Sequence, residues 1–172
     1  MKPAMFDYVR ADSAEQAASL LQRHGEGARI LAGGQSLMAV LNMRLAQPAL
    51  LIDISRSTEL ASIVVKPDSV RVGAAVTQAQ LQAHPEVPPL LALAFPFISH
   101  FQIRNRGTLG GRSGNSSPAG DVYPPLRALC GAAEGMNSRG AVRTIPAREL
   151  VLGKGKTALA SDEAILRFLL PL

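Results

Sequence analysis

The sequence is poor in cysteine, tryptophan and aromatic residues, and these shortages exclude several classes of protein. Its one cysteine, Cys130, cannot build a disulfide framework, nor can it hold an iron–sulfur cluster, which needs about four thiolates. The three histidines, His24, His84 and His100, lie far apart and lack the spacing of metal ligands. Aromatic residues make up 4% of the chain and the basic residues are scattered, so we expect no nucleic-acid partner.

Long apolar runs are also missing, because no stretch reaches the roughly 18 residues of a membrane span. The N-terminal stretch MKPAMFDYVRADS carries acidic residues where a signal peptide needs an apolar segment, which favours the cytoplasm. What is present is a chain of 172 residues, enough for one or two small lobes, with a formal net charge of +5. Such a charge suits an anionic cofactor or an acidic partner subunit.

The hydrophobic pattern predicts an α+β protein in two lobes, residues 1–56 and 57–172. Strands are predicted over 28–32, 49–55 and 162–171, and strand pairs around 67–68 and 138–140. Helices are predicted over 12–25 with a Ser13/Gln16 capping box, after Thr77, within 90–100 and from 122 onward.

Residues 101–121 are rich in Gly, Ser and Asn, with almost no apolar periodicity. We therefore predict a long loop of functional importance there. Three residues in apolar surroundings, Met38, Met43 and Cys130, are predicted to be buried.

A first glycine segment, AGGQS at residues 32–36, follows the strand predicted over 28–32. Two glycines let the backbone approach a ligand closely, and their N–H groups with those of Gln35 and Ser36 can bind an anion. A helix beginning at Leu37 would add positive potential. The alternative is a plain strand–turn–helix corner, which this segment taken alone favours.

A second glycine segment, TLGG at residues 108–111, lies within the predicted loop and favours a ligand site over a plain turn. Three arginines are close in sequence, and the uncharged donors around them suit a diphosphate and sugar hydroxyls. Asp121 either accepts a hydrogen bond from a ribose or ribityl hydroxyl or caps the helix that follows, and the two roles can coexist. Neither segment is a G-x-G-x-x-G or Walker A motif.

Weaker candidates are His100 and Arg44, which could contact a ligand, although a structural or surface role accounts for either as well. No Ser/His/Asp arrangement and no carboxylate pair stands out in the sequence.

With both glycine segments, the chain resembles the FAD-binding medium subunit of the molybdenum hydroxylases, which include carbon monoxide dehydrogenase-type and xanthine dehydrogenase-type enzymes. The matching segments are ARILAGGQSLMAVLNMRLAQPALLIDIS, ISHFQIRNRGTLGGRSGNSSPAGD, VRTIPARELVLGKGKTAL and DEAILRFLLP. They follow the family's order and extend over nearly the whole chain.

The resemblance implies a two-lobed FAD-binding fold of the vanillyl-alcohol-oxidase-like (PCMH) type. It implies that the first segment grips the pyrophosphate of FAD and that the second completes the diphosphate and flavin site. The residues that the resemblance assigns to FAD are Ala32, Gly33, Gly34, Gln35, Ser36, Leu37, Ile98, Thr108, Leu109, Gly110, Gly111, Arg112, Asn115, Ser117, Asp121, Ile165 and Leu166.

The implied function is electron transfer through FAD to an acceptor, from a molybdenum-cofactor large subunit by way of an iron–sulfur small subunit. Two departures are Arg112, where relatives carry a small or uncharged residue, and one extra residue after Asp121. Family members also continue past the position of Leu172 into a further domain. The alternatives are a truncated interaction module that no longer binds FAD productively and a stand-alone flavin reductase, for which the sequence offers no acid/base residue.

Overall fold

Two β-sheets organise the chain in the computed structural model, which describes residues 2–117 and 120–172. The first sheet is parallel, with strands β1 (Asp7–Arg10), β2 (Ala28–Leu31) and β3 (Leu50–Asp53) in the order β1-β3-β2. All four residues of β3 are buried because a central parallel strand is covered on both faces. Helices α1 (Ala14–His24) and α2 (Leu37–Asn42) connect these strands.

The start of α1 differs by one residue from the predicted capping box. The Ser13 hydroxyl accepts the Gln16 N–H at 3.1 Å, as expected of an N-cap. The Gln16 side chain, however, accepts the N–H of Asp12 at 2.8 Å, not that of Ser13. Gly25 ends the helix with φ +52°, a left-handed conformation that favours glycine.

The second sheet is antiparallel and has five strands in the order β4-β5-β10-β6-β7. They are β4 (Ile63–Val65), β5 (Ser69–Gly73), β6 (Ala132–Met136), β7 (Val142–Pro146) and β10 (Ala164–Pro171). The central strand β10 places Phe168 and Leu170 in the core, where Phe168 pairs with Val72 on one side and Ala133 on the other.

Short helices and one small hairpin complete the described chain. They are α3 (Gln78–Gln82), α4 (Pro89–Ala94), α5 (Phe101–Arg104), α6 (Leu109–Gly114), α7 (Tyr123–Ala128), α8 (Ala147–Leu150), β8 (Val151–Gly153) and β9 (Lys156–Thr157). Thr77 caps the helix predicted to follow it, and the structure adds a complete capping box with Gln80.

Buried apolar residues from both sheets form one continuous core, which extends from Ala11 to Leu170 along the chain. The α+β class is confirmed. The lobe boundary between residues 56 and 57 stays a prediction, although the change from parallel to antiparallel sheet falls between Asp53 and Ile63.

The predicted loop over 101–121 is wrong in part, because α5 and α6 lie within it. Tertiary contacts stabilise α6 despite its three glycines: Leu109 is fully buried and its N–H donates to the Val76 carbonyl. Pro118 and Ala119 of this stretch lie outside the described residues. Strands β1, β8 and β9 were not predicted, since each has at most four residues and little alternation.

The prediction that Met38, Met43 and Cys130 are buried is wrong. Helix α2 buries Leu41, so the two methionines lie on its open side with 40% and 50% exposure. Cys130 is exposed in the turn after α7, where its φ is +51°. Apolar sequence neighbours are therefore a poor guide at the ends of such short helices.

We predict that Phe168→Ala lowers the free energy of unfolding by about 3–5 kcal/mol, because it removes a large side chain from the centre of the five-stranded sheet. Urea unfolding followed by circular dichroism measures the change. Phe97→Ala is the matched control, since Phe97 is 87% exposed and Phe168 is 1% exposed. Equal losses from the two variants would contradict the assignment of Phe168 to the core.

Candidate functional site

A cleft of about 440 Å³ lies beside the carboxyl end of β2, where both glycine segments meet. Its walls come from the first segment, from the stretch around α6, and from residues 155–165 at the start of β10. This volume is within the range of about 300–1,000 Å³ that is usual for ligand pockets.

The first glycine segment exposes a row of backbone donors in this cleft. The N–H groups of Gly34, Gln35, Ser36 and Leu37 find no acceptor among the described residues. Gly34 has φ +72°, which favours glycine, and the Gln35 side chain donates to the Gly33 carbonyl at 3.1 Å. Successive free amides around such a turn form a concavity for an anion.

Gly33 is required by the backbone that immediately precedes the second glycine segment. A Cβ at Gly33 would lie 2.1 Å from the carbonyl oxygen of Arg106 and 2.8 Å from the Cα of Gly107. A Cβ at Gly111 would lie 3.4 Å from the Cβ of Ala32. The first glycine segment therefore packs on the backbone of Arg106 and Gly107, just before the second segment. Close packing explains Gly33, where the sequence suggested close approach of a ligand.

The backbone N–H groups of the second glycine segment donate to acceptors of the protein itself. The N–H groups of Leu109 and Gly110 donate to the carbonyls of Val76 and Ala74, and that of Gly111 donates to the Thr108 hydroxyl at 3.0 Å. A Cβ at Gly110 would lie 2.6 Å from the Ala74 oxygen, so this glycine permits the contact with the end of β5. The free amides of the cleft accordingly come from the first segment.

Arg112 supplies positive charge to the cleft, and Asp121 pairs with it. Their Nη2 and Oδ2 atoms are 3.5 Å apart, and Asp121 itself does not line the cleft. The Nε of Arg112 is buried and has no partner within the described ranges. An acceptor atom of a bound ligand would satisfy this buried donor.

Most of the residues that the sequence assigns to the cofactor meet in the cleft. Those that line it are Ala32, Gly33, Gly34, Gln35, Ser36, Leu37, Thr108, Gly110, Gly111, Arg112, Asn115 and Ile165. Those that do not are Ile98, Leu109, Ser117, Asp121 and Leu166. Ile98, Leu109 and Leu166 are buried in the apolar core instead.

The two weaker candidates also lie away from the cleft. His100 is exposed at the start of α5. Arg44 has φ +56° and donates from its Nε to the Lys2 carbonyl at 3.1 Å, which gives it a local structural role.

Gln78, Leu159 and Glu163 also line the cleft, although no pattern in the sequence marks them as site residues. Two contacts place Gln78 at the cleft. Its N–H donates to the Gly107 carbonyl at 2.9 Å, and the neighbouring Thr77 forms a β-bridge with Thr108. No local motif signals such long-range pairings.

Glu163, which lines the cleft, connects strand β7 with the segment around Leu159. Its carboxylate accepts hydrogen bonds from Arg143 Nε at 2.6 Å, Arg143 Nη2 at 2.7 Å and the Ala160 N–H at 2.8 Å. Arg143 also donates to the Ala158 carbonyl at 2.6 Å, so the pair holds the segment that carries Leu159. The hydrogen bonds from the Arg143 guanidinium keep the pKa of Glu163 below its usual value despite partial burial.

A cleft of this size, with a row of free amides, an arginine and apolar walls, defines a site for an extended anionic ligand. Comparison with known proteins names the class. Residues 4–172 match the family model described as the FAD binding domain in molybdopterin dehydrogenase. The chain belongs to this family, whose cofactor is FAD.

Two relatives come from Paenarthrobacter nicotinovorans. The chain is 38% identical to the 6-hydroxypseudooxynicotine dehydrogenase complex subunit alpha, over 99% of this chain and 58% of that protein. It is 41% identical to the nicotine 6-hydroxylase medium subunit, over 99% of this chain and 61% of that protein.

A solved structure of carbon monoxide dehydrogenase from Hydrogenophaga pseudoflava matches the fold with a TM-score of 0.95 and 36% identity. The match includes 99% of this chain and 60% of that one. The chain thus spans about three fifths of the length of these relatives. No helix in the described ranges is both long and apolar enough to cross a membrane.

We predict that Gly33→Ala destabilises the protein by about 1–3 kcal/mol, because the new methyl group would overlap the Arg106 carbonyl. Urea unfolding measures this loss. Gly153→Ala is the control, since a Cβ there meets no atom within 4 Å. A neutral Gly33→Ala would show that the two glycine segments do not pack as described.

We predict that Glu163→Gln makes the free energy of unfolding less dependent on pH in the acidic range. The folded-state pKa of Glu163 is below the reference value of 4.5. The stabilisation that its ionised carboxylate contributes is therefore present above that pH and is lost as the pH falls through the folded pKa. The variant should be less stable than the parent at pH 7, with a difference that shrinks towards pH 3. Denaturant unfolding across this range is the measurement.

The control for that experiment is Glu149→Gln, which alters an exposed pair with Arg148. It should leave the pH profile almost unchanged, because exposed ion pairs contribute little. A constant difference between the parent and Glu163→Gln at every pH would contradict the ionic role of Glu163.

Proposed function

We propose that this chain is the FAD-binding, electron-transferring part of a multi-subunit molybdenum-containing hydroxylase or dehydrogenase. The observation that carries the proposal is the row of N–H groups from Gly34 to Leu37, which have no acceptor among the described residues and belong to residues that line the cleft, in a member of an FAD-binding family. A pyrophosphate offers only acceptor oxygens, so four consecutive donors suit it.

The remaining walls fit the rest of the cofactor. Arg112 adds a cation, and the buried Oε1 of Gln78 has no partner in the part of the chain that the structure describes, so a hydroxyl or amide donor would satisfy it. Ile30, Ile103, Leu159 and Ile165 supply apolar surface for a planar ring. The polar groups would hold the phosphates of FAD, and the apolar side chains would contact its ring.

When bound, FAD would supply reversible electron transfer, which amino-acid side chains lack. The residues of this chain would bind the cofactor, orient it and exclude water from it. Among the described residues that line the cleft, Glu163 and Arg112 are ion-paired and Arg29 donates to the carbonyls of Glu26 and Ala28. Substrate chemistry would therefore take place on another subunit.

We propose two kinds of partner, an iron–sulfur small subunit that delivers electrons and a molybdenum-cofactor large subunit that oxidises the substrate. The relatives named above as a complex subunit and a medium subunit support a multi-subunit assembly. The single cysteine supports it too, because this chain cannot hold a cluster by itself.

The second candidate is an interaction module of the same fold that binds FAD unproductively. The observation in its favour is the Arg112–Asp121 pair, which places an arginine in the cleft at a position where the family resemblance implies a small or polar uncharged residue. The two functions differ in the sign of one measurable effect, which is the change in FAD affinity when Arg112 is removed.

We predict that the protein binds FAD and that Arg112→Ser weakens binding about tenfold, because a charge-assisted contact is lost. Quenching of flavin fluorescence during titration measures the affinity. Arg56→Ser is the control, since Arg56 is exposed and does not line the cleft. Tighter binding by Arg112→Ser would favour the interaction module, and no binding by either protein would overturn the proposed cofactor role.

A further inference from the structure

A second depression lies on the outer face of the five-stranded sheet. Its volume is about 490 Å³, and its lining includes Lys66, Arg71, Arg167 and Glu59. Val70 and Val72 of β5 are fully buried, so Arg71 between them points away from the core. None of its lining residues belongs to the FAD cleft.

Strand register brings three cations together on this face. Arg71 pairs with Val64 of β4 on one side and Leu169 of β10 on the other. Arg167 pairs with Gly73, two residues beyond Arg71, and Lys66 follows Val64 by two residues. Like charges close together on one face of a sheet repel each other, so a counter-charge would stabilise this arrangement.

The carboxylates nearby leave part of this charge unmatched. Glu134 accepts a hydrogen bond from Arg167 Nε at 2.5 Å. Glu59 lines the depression, but its Oε2 accepts the Ala14 N–H at 3.1 Å. Within residues 2–117 and 120–172, neither Lys66 nor Arg71 forms an ion pair, and the buried Nε of Arg71 has no hydrogen-bond partner.

We infer that this depression binds an oxyanion, a carboxylate or a phosphate group, with Arg71 as its main ligand and Lys66 beside it. A guanidinium presents donors in a fork that matches two oxygens of either group. The hydroxyl of Thr58 also lines the depression and can donate to the same oxygens. This second site is independent of FAD and would take a small anion or an acidic side chain of a partner protein.

The test is a titration of the isotope-labelled protein with inorganic phosphate and, separately, with succinate at constant ionic strength, followed by amide NMR shifts. Saturable shifts at residues 64–73 and 166–169 are expected for at least one probe. Preference for phosphate points to a small phosphorylated ligand, and preference for succinate points to an acidic side chain. Shifts confined to residues 33–37 would place the anion in the FAD cleft and overturn the inference.

Variants make the assignment specific. Arg71→Gln should weaken binding of the effective probe about tenfold or more, because it removes the charged fork. Lys66→Gln, which alters an exposed side chain and leaves the sheet intact, should weaken it several-fold. Lys154→Gln in the β8–β9 turn is the control for net charge and should have no effect. Unchanged affinity in both Arg71→Gln and Lys66→Gln would overturn the inference.

Discussion

The close approach of two backbone segments at Gly33 is the constraint on which the cleft depends. The carbonyl of Arg106 occupies the space that a side chain at Gly33 would fill, and Gly107 lies against the same point. This contact joins the end of the parallel sheet to the short helices that flank the antiparallel sheet. Any side chain at Gly33 would push the two segments apart and change the shape of the cleft between them.

This packing explains why the two glycine segments play different roles although their sequences look alike. The second segment directs its N–H groups to Val76, Ala74 and Thr108, and so it builds the framework. The first segment turns through Gly34 and leaves its N–H groups open to the cleft. A free row of donors beside an arginine is suited to the phosphates of FAD, the cofactor of the family to which the chain belongs.

Another wall of the cleft comes from the last part of the described chain. Glu163 and Arg143 hold the segment around Leu159 by hydrogen bonds to Ala158 and Ala160, and Ile165 follows at the start of β10. The same strand presents Arg167 on the outer face of its sheet, beside Arg71. One central strand therefore takes part in the cleft, in the core through Phe168, and in a separate cationic depression.

The sequence by itself determined the α+β class, most of the longer strands, the caps at Ser13 and Thr77, and both glycine segments, because these depend on local hydrophobic alternation and on side chains that bond nearby amides. Only the tertiary structure decided that the stretch around α6 is helical, that Met38 and Cys130 are exposed, and that Gln78 and Glu163 reach the cleft. Those features depend on long-range contacts, such as the one between Gln78 and Gly107, which no short window of sequence contains. The row of N–H groups from Gly34 to Leu37 depends on both levels. The sequence supplies the glycine turn, and the fold leaves these donors without an acceptor among the described residues.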